Sequence, residues 1–305
     1  MRQTRRIRVR AHAKINLSLR VAKLRDDGYH ELETVFQALA LHDGLTVRLH
    51  DGPFTITCDD PGVPTDSHNL VWRAAQCLWE RCGRGGAVRG VEIALAKQIP
   101  MQAGLGGGSS DAAAAIVALA RLWAVKPGID LAAIGAEVGA DVPYFLIGGT
   151  ALGLSRGDDL YPLPDLPVYQ VVLGLPAFGV STAEAYGWFD RDASASRVAG
   201  GGRAVAIPAW PGRPLAVHND LEAPVVVRHP QIGELRDLLV KGGACAAAMT
   251  GSGSAVFGLF ASEVRARAGA QRVAAAGFVA LMTETIGRRR GLRAAVPSSR
   301  PRLSR

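Results

Sequence analysis

The 305 residues, 48% hydrophobic and 20% charged, hold enough apolar material for a sizeable core, and their number suggests two domains or one large α/β unit. No run approaches the ~20 uninterrupted apolar residues of a membrane helix, and the basic start lacks the apolar stretch of a secretory signal, so a soluble, cytoplasmic protein without membrane contact is expected. The net charge of +8 sits at the ends, because five arginines among the first ten residues and seven after Gly287 leave the body between them at −4. Such Arg-rich ends read as solubilising termini and not as a nucleic-acid surface. Cys58, Cys77, Cys82 and Cys245 show neither metal-finger nor disulfide-scaffold spacing and are expected to be reduced.

In chain order, Thr4–Arg10 and Ala13–Ala22 read as strands, followed by a turn at Asp26-Asp27-Gly28. Glu33–Ala40 and Gly44–His50 read as two more, parted by a turn at His42-Asp43-Gly44. Asp66–Cys82 carries Leu70, Ala74, Cys77 and Leu78 on one helical face and stops at Gly83. Val91–Ile99 returns to strand and Pro100 closes it; a helix apolar nearly all round then runs to about Trp123. A helix over Leu131–Val138 and a strand over Thr150–Leu154 precede a Pro- and Gly-rich stretch, Gly157–Pro167, that suggests a domain boundary.

Beyond it, Val168–Leu175 reads as a strand, and Ser181 with Glu184 forms a capping box that starts a helix. Arg191–Pro214 reads as a loop. Helices over Leu221–Arg228 and Gln231–Leu239, strands over Cys245–Thr250 and Ala255–Phe260, a Ser262-capped helix to Ala275 and a strand over Phe278–Thr283 complete the chain. Each half has strands followed by helices, an α+β order. The domains expected are 1–160 and 161–287, with 288–305 as a disordered basic tail.

The chemistry concentrates at Pro100-Met101-Gln102-Ala103-Gly104-Leu105-Gly106-Gly107-Gly108-Ser109-Ser110, between a strand and a buried helix. Four glycines in five positions let an anion approach the backbone. The free N–H groups and dipole of a helix start favour phosphate there. A Walker loop would need a lysine that is absent, and the third glycine of GxGxxG falls on Ser109, so neither common nucleotide motif applies. A flexible Gly-rich turn is the plain alternative.

Pro100–Asp111 resembles the phosphate loop of the GHMP small-molecule kinases. Ala13-Lys14-Ile15-Asn16-Leu17 is similar to their first motif and Thr250-Gly251-Ser252-Gly253-Ser254-Ala255 to their third, in the same order. The resemblance implies a two-domain α+β fold, with an N-terminal domain like ribosomal protein S5 domain 2 and a ferredoxin-like C-terminal domain. It also implies ATP and Mg2+ as cofactors, with the loop amides on the phosphates and Ser110 as the protein contact to the metal.

Asn69 and Lys97 match positions that line the adenine pocket of relatives. Asp111 stands where some relatives have asparagine. Asp27-Gly28-Tyr29-His30-Glu31-Leu32 and Gly139-Ala140-Asp141-Val142-Pro143 resemble the members that phosphorylate a tertiary hydroxyl of a cytidine-diphosphate sugar alcohol in isoprenoid-precursor synthesis. By that resemblance Asp141 is the catalytic acid/base, Lys14 its ionic partner, and Asn16 a contact to the acceptor or its diphosphate. Tyr29 and His30 form the cytidine-binding pair, Thr182 touches phosphate or ribose, and Tyr186 is a second stacking aromatic.

Simpler readings stand beside these. Asp141 before Val-Pro is a good helix cap, and a lone tyrosine at helical spacing suits a core. A homoserine or mevalonate kinase, or a non-catalytic nucleotide binder, remains open. The expected state is a monomer or weak homodimer acting on a small molecule, without nucleic-acid partners.

Overall fold

The computed structural model describes residues 6–195 and 216–294. Its first two strands are long: β1 (Arg6–Leu24) and β2 (His30–Pro53) pair antiparallel from Arg6↔Arg48 to Leu24↔His30. Four shorter strands were expected here. The breaks turn out to be register shifts between His12/Lys14, Asn16/Ser18 and Val21/Leu24, which bend a strand without ending it. The expected turn at Asp43 is absent because its buried carboxylate accepts from the backbone N–H groups of Gln98 (2.5 Å) and Ile99 (2.8 Å), so the chain runs straight through. The Asp26–Gly28 turn is present, with Gly28 at φ +82°.

A short strand, β3 (Thr55–Cys58), precedes α1 (Leu70–Arg81), which begins after Asn69 and not at Asp66; β4 (Arg89–Ala96) follows. Then come α2 (Gly107–Leu122), α3 (Leu131–Val138), α4 (Val142–Ile147), β5 (Thr150–Leu154) and β6 (Asp159–Pro162). The second half continues with β7 (Gln170–Leu175), α5 (Thr182–Ala195), β8 (His218–Asn219), α6 (Glu222–Arg228), α7 (Gln231–Lys241), β9 (Ala246–Met249), β10 (Val256–Phe260), α8 (Glu263–Ala275) and β11 (Val279–Glu284). The loop expected over 191–214 starts inside α5, and its stretch 196–214 lies outside the described residues. The tail expected to be disordered from 288 begins instead as α9 (Arg288–Ala294). Arg288 anchors that helix by donating to the carbonyls of Thr150 (2.9 Å) and Leu163 (3.3 Å); residues 295–305 lie outside the described residues.

The first sheet has the order β3-β4-β2-β1-β8, with β5 on β2 and β6 on β5; the second, antiparallel throughout, is β11-β7-β10-β9. This is the expected α+β architecture. One crossing was not expected: β8, from the second half of the chain, pairs parallel with β1 of the first sheet.

Alternation along β1 explains where the site falls. Ala13, Ile15 and Leu17 are wholly buried against Val171, Leu173, Phe257 and Leu259 of the second sheet. Lys14 and Asn16 therefore point the other way. Helix α2 is packed on most sides, with Ala112, Ala115, Ile116, Ala118 and Leu119 fully buried beside Val71, Ala74 and Leu78 of α1. Removing one such leucine typically costs ~2–5 kcal/mol, so this helix holds the loop before it on a stiff base.

Candidate active site

The loop before α2 is tied down by its carbonyl groups. Those of Gln102 and Ala103 accept from the N–H groups of Ser254 and Ala255 (both 3.3 Å), and that of Leu105 accepts from Lys14 N (3.0 Å). The Gly104 carbonyl accepts weakly from the Thr250 hydroxyl at 3.4 Å. Gly104 and Gly106 adopt φ near +73° and +72°, a region where a β-carbon is strained. A β-carbon on Gly104 would also overlap the Thr250 carbonyl, and one on Gly106 would lie 2.6 Å from Phe145 Cζ and 3.2 Å from Lys14 Cε. The first N–H groups of α2 have no intrahelical acceptor, and no acid lies in its first turn. The result is an anion cradle at a helix start.

This cradle forms one wall of a cavity of about 550 Å³. Pro100 through Ser109 line it, together with Lys14, Asn16, Lys97, Asp141, Thr182 and Tyr186. Lys14 Nζ, 4% exposed as a residue, sits 3.5 Å from Asp141 Oδ2 and donates to Asn16 Oδ1 at 2.7 Å. Asp141 stands at the cap position of α4, yet its carboxylate makes no capping bond, and its side chain is 34% exposed. A capping role therefore does not account for it. Asn16 is held at both ends: its backbone N–H donates to Thr250 Oγ1 (3.0 Å) and its side-chain amide to Thr34 Oγ1 (2.7 Å).

Lys97 carries the second buried ammonium. It donates to Asp111 Oδ2 at 2.7 Å and pairs with Asp43. Burial works against its charge, but the two carboxylates outweigh it and hold its pKa above the ordinary 10.5. Burial pushes the Asp111 carboxyl up to about 7; Lys97 pulls it down, and Asp43 adds to the rise. Its Oδ1 is buried with no hydrogen-bond partner among the described residues.

Four expected site residues are placed differently. Asn69 caps α1: its side chain accepts from Val71 N (2.9 Å) and donates to the Pro64 carbonyl (2.6 Å), so its polar atoms serve the helix start and it does not line the cavity. Ser110 is buried inside the first helical turn, where its hydroxyl donates to the His12 carbonyl at 2.7 Å; Ser109, one residue earlier, lines the cavity. Tyr29 is 53% exposed and off the cavity wall, with the Arg156 guanidinium 5.3 Å from its ring. His30 also lies behind the wall, against Tyr186 at 5.1 Å between ring centres.

Tyr186 is therefore not simply a core residue. It lines the cavity while burial, and then the Asp141 charge, push its pKa well above 10.0. The Ser181–Glu184 capping box forms as expected, with Glu184 N donating to Ser181 Oγ at 3.2 Å, and it fixes the start of the helix that carries Thr182 and Tyr186. Thr182 Oγ1 lies 3.2 Å from Ser252 Oγ, in the second glycine-rich loop.

Thr34 and Arg156 are among the lining residues that the sequence did not single out. Thr34 orients Asn16, and Arg156 is carried to the cavity by the β5–β6 turn, where Ser155 O accepts from Leu32 N at 2.6 Å. Nothing local marks either one, since both depend on strand pairing distant in sequence.

An anion cradle and, lining the same cavity, a buried lysine beside a half-exposed carboxylate are the parts a small-molecule phosphotransferase site requires. Residues 69–149 match the family model "GHMP kinases N terminal domain" and residues 204–279 the model "GHMP kinases C terminal". The chain is 43% identical over 266 residues to a 4-diphosphocytidyl-2-C-methyl-D-erythritol kinase of Solibacter usitatus (strain Ellin6076), covering 85% of this chain and 83% of that protein. It is 40% identical over 267 residues to one of Synechococcus sp. (strain JA-3-3Ab), covering 84% and 85%.

A crystal structure of 4-(cytidine 5'-diphospho)-2C-methyl-D-erythritol kinase superposes with TM-score 0.77 at 34% identity, over 92% of this chain and 100% of that one. The Methanococcus jannaschii mevalonate kinase, at TM-score 0.65 and 12% identity over 94% of this chain and 99% of that one, shares the fold. The chain belongs to the GHMP kinases and, among them, to the 4-diphosphocytidyl-2-C-methyl-D-erythritol kinase family. It is an ATP-dependent small-molecule kinase. Among the described residues, no helix is long and apolar enough to cross a membrane.

Proposed function

We propose that this kinase transfers the γ-phosphoryl group of ATP to the C2 hydroxyl of 4-diphosphocytidyl-2-C-methyl-D-erythritol, within the non-mevalonate route to isoprenoid precursors. The observation that carries the reading is the Lys14–Asp141 pair at 3.5 Å, set in one cavity with the glycine loop. Phosphoryl transfer asks mainly for alignment and charge stabilisation. Asp141 accepts the hydroxyl proton and aims its oxygen at phosphorus. Lys14 holds that carboxylate in place and adds positive charge beside the moving phosphoryl group. The loop N–H groups and the start of α2 hold the donor phosphates.

Lys97, locked between two carboxylates, is placed to contact the nucleotide. Magnesium would enter with ATP, with the Ser109 hydroxyl and the Asp141 carboxylate as the cavity groups to hold it and with neutralisation of phosphate charge as its contribution. Tyr186 and His30 would receive the cytosine, and Asn16 and Thr182 the rest of the acceptor. We divide the chain into working halves near residue 160. The same reading makes this a cytoplasmic enzyme that acts on a small molecule without nucleic acid, as a monomer or weak homodimer.

Coupled ATPase assays against the cytidine-diphosphate sugar alcohol, mevalonate and homoserine test the acceptor. Higher kcat/KM for either of the last two would overturn it.

A further inference from the structure

Behind the second glycine-rich loop stands Asn219, 7% exposed and outside the lining of the main cavity. Its side-chain amide donates to two carbonyls, Met249 O and Gly251 O, both at 2.8 Å, and its Oδ1 accepts from Leu221 N at 3.0 Å. Two acceptors on one side and a donor on the other leave the amide a single orientation. Glu222 adds to the grip by accepting from Met249 N at 2.8 Å. The same segment is fastened to the strand that carries Lys14, because β8 pairs with β1 and Asp220 N donates to Leu19 O at 2.9 Å.

The hold on Gly251 sets the direction of one peptide unit. The Gly251–Ser252 peptide is trans, so its C=O and its N–H point opposite ways. With the carbonyl turned to Asn219, the Ser252 N–H faces away from it, on the side where Gly251 and Ser252 line the cavity. That N–H has no acceptor among the described residues. The peptide also lies close to the catalytic lysine, since a β-carbon on Gly251 would stand 3.4 Å from Lys14 Nζ. A free backbone donor beside a buried ammonium, at a cavity wall, suits an anionic oxygen.

We infer that Asn219 is a positioning residue for phosphoryl transfer: by holding the Gly251 carbonyl back, it aims the Ser252 N–H at a phosphate oxygen beside Lys14. That oxygen belongs to the transferring group or to the diphosphate of the acceptor, and the two sources give different kinetics. The inference rests on the placement of the reaction at Lys14 and Asp141 proposed above.

The test combines steady-state kinetics and thermal melts on Asn219→Asp, Ser252→Pro, Ser252→Ala and Val225→Ala. Asn219→Asp keeps the size of the side chain and the acceptor for Leu221 N, but it has no amide to donate to the two carbonyls. Ser252 has a negative φ, which proline can share, so Ser252→Pro deletes the N–H itself. Ser252→Ala loses the same hydroxyl and keeps the N–H. Val225→Ala, a truncation of a fully buried side chain on α6, calibrates plain destabilisation.

Asn219→Asp should lower kcat by about 10²-fold at nearly constant KM if the oxygen is on the transferring group. It should instead raise KM for the acceptor by about tenfold, with KM for ATP unchanged, if the oxygen is on the acceptor diphosphate. Ser252→Pro should show the same pattern, about tenfold or more beyond Ser252→Ala, and it decides the question alone should Asn219→Asp fail to fold. Kinetics of Asn219→Asp like those of Val225→Ala, Ser252→Pro within about twofold of Ser252→Ala, or a rise confined to KM for ATP overturns the inference. Asp141→Asn separates the two readings. If it is impaired while the Asn219 and Ser252 variants are not, only this inference falls; if it is as active as wild type, the site falls with it.

Discussion

Gly106→Ala tests whether the glycine loop and the catalytic lysine are mechanically joined. At φ +72°, alanine brings the left-handed strain of ~1–2 kcal/mol. Its β-carbon would lie 2.6 Å from Phe145 Cζ and 3.2 Å from Lys14 Cε. Restoring ordinary contact means moving the ring by roughly 0.8 Å and the lysine by a few tenths, and overpacking of this kind typically costs ~1–3 kcal/mol. Phe145 cannot yield freely, because it packs edge-on against the fully buried Tyr144 at 5.1 Å.

Lys14 therefore takes part of the shift, at the atom next to the Nζ that contacts Asp141 and Asn16. Misplacement approaching 1 Å can cost about 10²-fold in rate. Gly83→Ala is the matched control: φ is +70°, but nothing lies within 4 Å of its β-carbon. Thermal melts and steady-state kinetics on both variants separate strain from displacement. Gly83→Ala should lower Tm by a few degrees with kcat intact, and Gly106→Ala should lower kcat by about 10²-fold. Wild-type kcat and KM for ATP in Gly106→Ala, or an equal loss of kcat in Gly83→Ala, would refute the reasoning.

Asp141→Asn should cut kcat by about 10²–10⁴ while KM for ATP stays within about twofold, since the amide keeps the shape but cannot take a proton; unchanged kcat would remove Asp141 from the chemistry. Arg156→Gln takes away one of three cations lining the cavity, the others being Lys14 and Lys97, and should raise KM for the acceptor about tenfold with KM for ATP unaffected. The reverse pattern in the two KM values would place Arg156 on the donor side. The His218–Asp220 pair predicts a pH window for stability. Its bond to Asp220 raises the His218 pKa above 6.5 against opposing burial; burial pushes the Asp220 carboxyl up, but His218 and Val21 N outweigh it and hold it below 3.8. The histidine contribution is complete below 6.5 and fades as pH rises through the raised value, while the aspartate contribution is complete above 3.8 and fades as pH falls through the lowered one. Urea denaturation should accordingly show Asp220→Asn more destabilising at pH 5 than at pH 8, and equal losses would contradict the pairing.

Residues that announce their chemistry locally were the ones legible beforehand. Four glycines before an alanine-rich helix can hardly serve an ordinary turn, and Lys14 inside an apolar strand needs a partner, which the fold supplies 127 positions later in Asp141. The cap made by Asn69 was not legible, because an asparagine that caps a helix and one that faces a ligand look identical in a sequence. Ser109 and Ser110 differ only in helical phase, about 100° per residue, and that phase depends on where α2 begins. The length of β1 and β2 was hidden because bulges imitate strand ends. Arg156 and Asn219 were invisible for another reason: polar residues in turns and short strands are commonplace, and only pairing across the chain brings one beside Tyr29 and the other against Gly251.

Thr250 carries a consequence for how such an enzyme can move. Its fully buried hydroxyl accepts from the Asn16 backbone at 3.0 Å and leans toward Asn16 Oδ1 and the Gly104 carbonyl, each at 3.4 Å. The strand that carries Lys14, the loop proposed to hold the donor and the second glycine loop are thus pinned at one joint. Neither end of the cavity can loosen independently of the other. Any opening that admits a substrate must come from the periphery, by α5 or the β5–β6 turn swinging aside, while the centre stays assembled between turnovers.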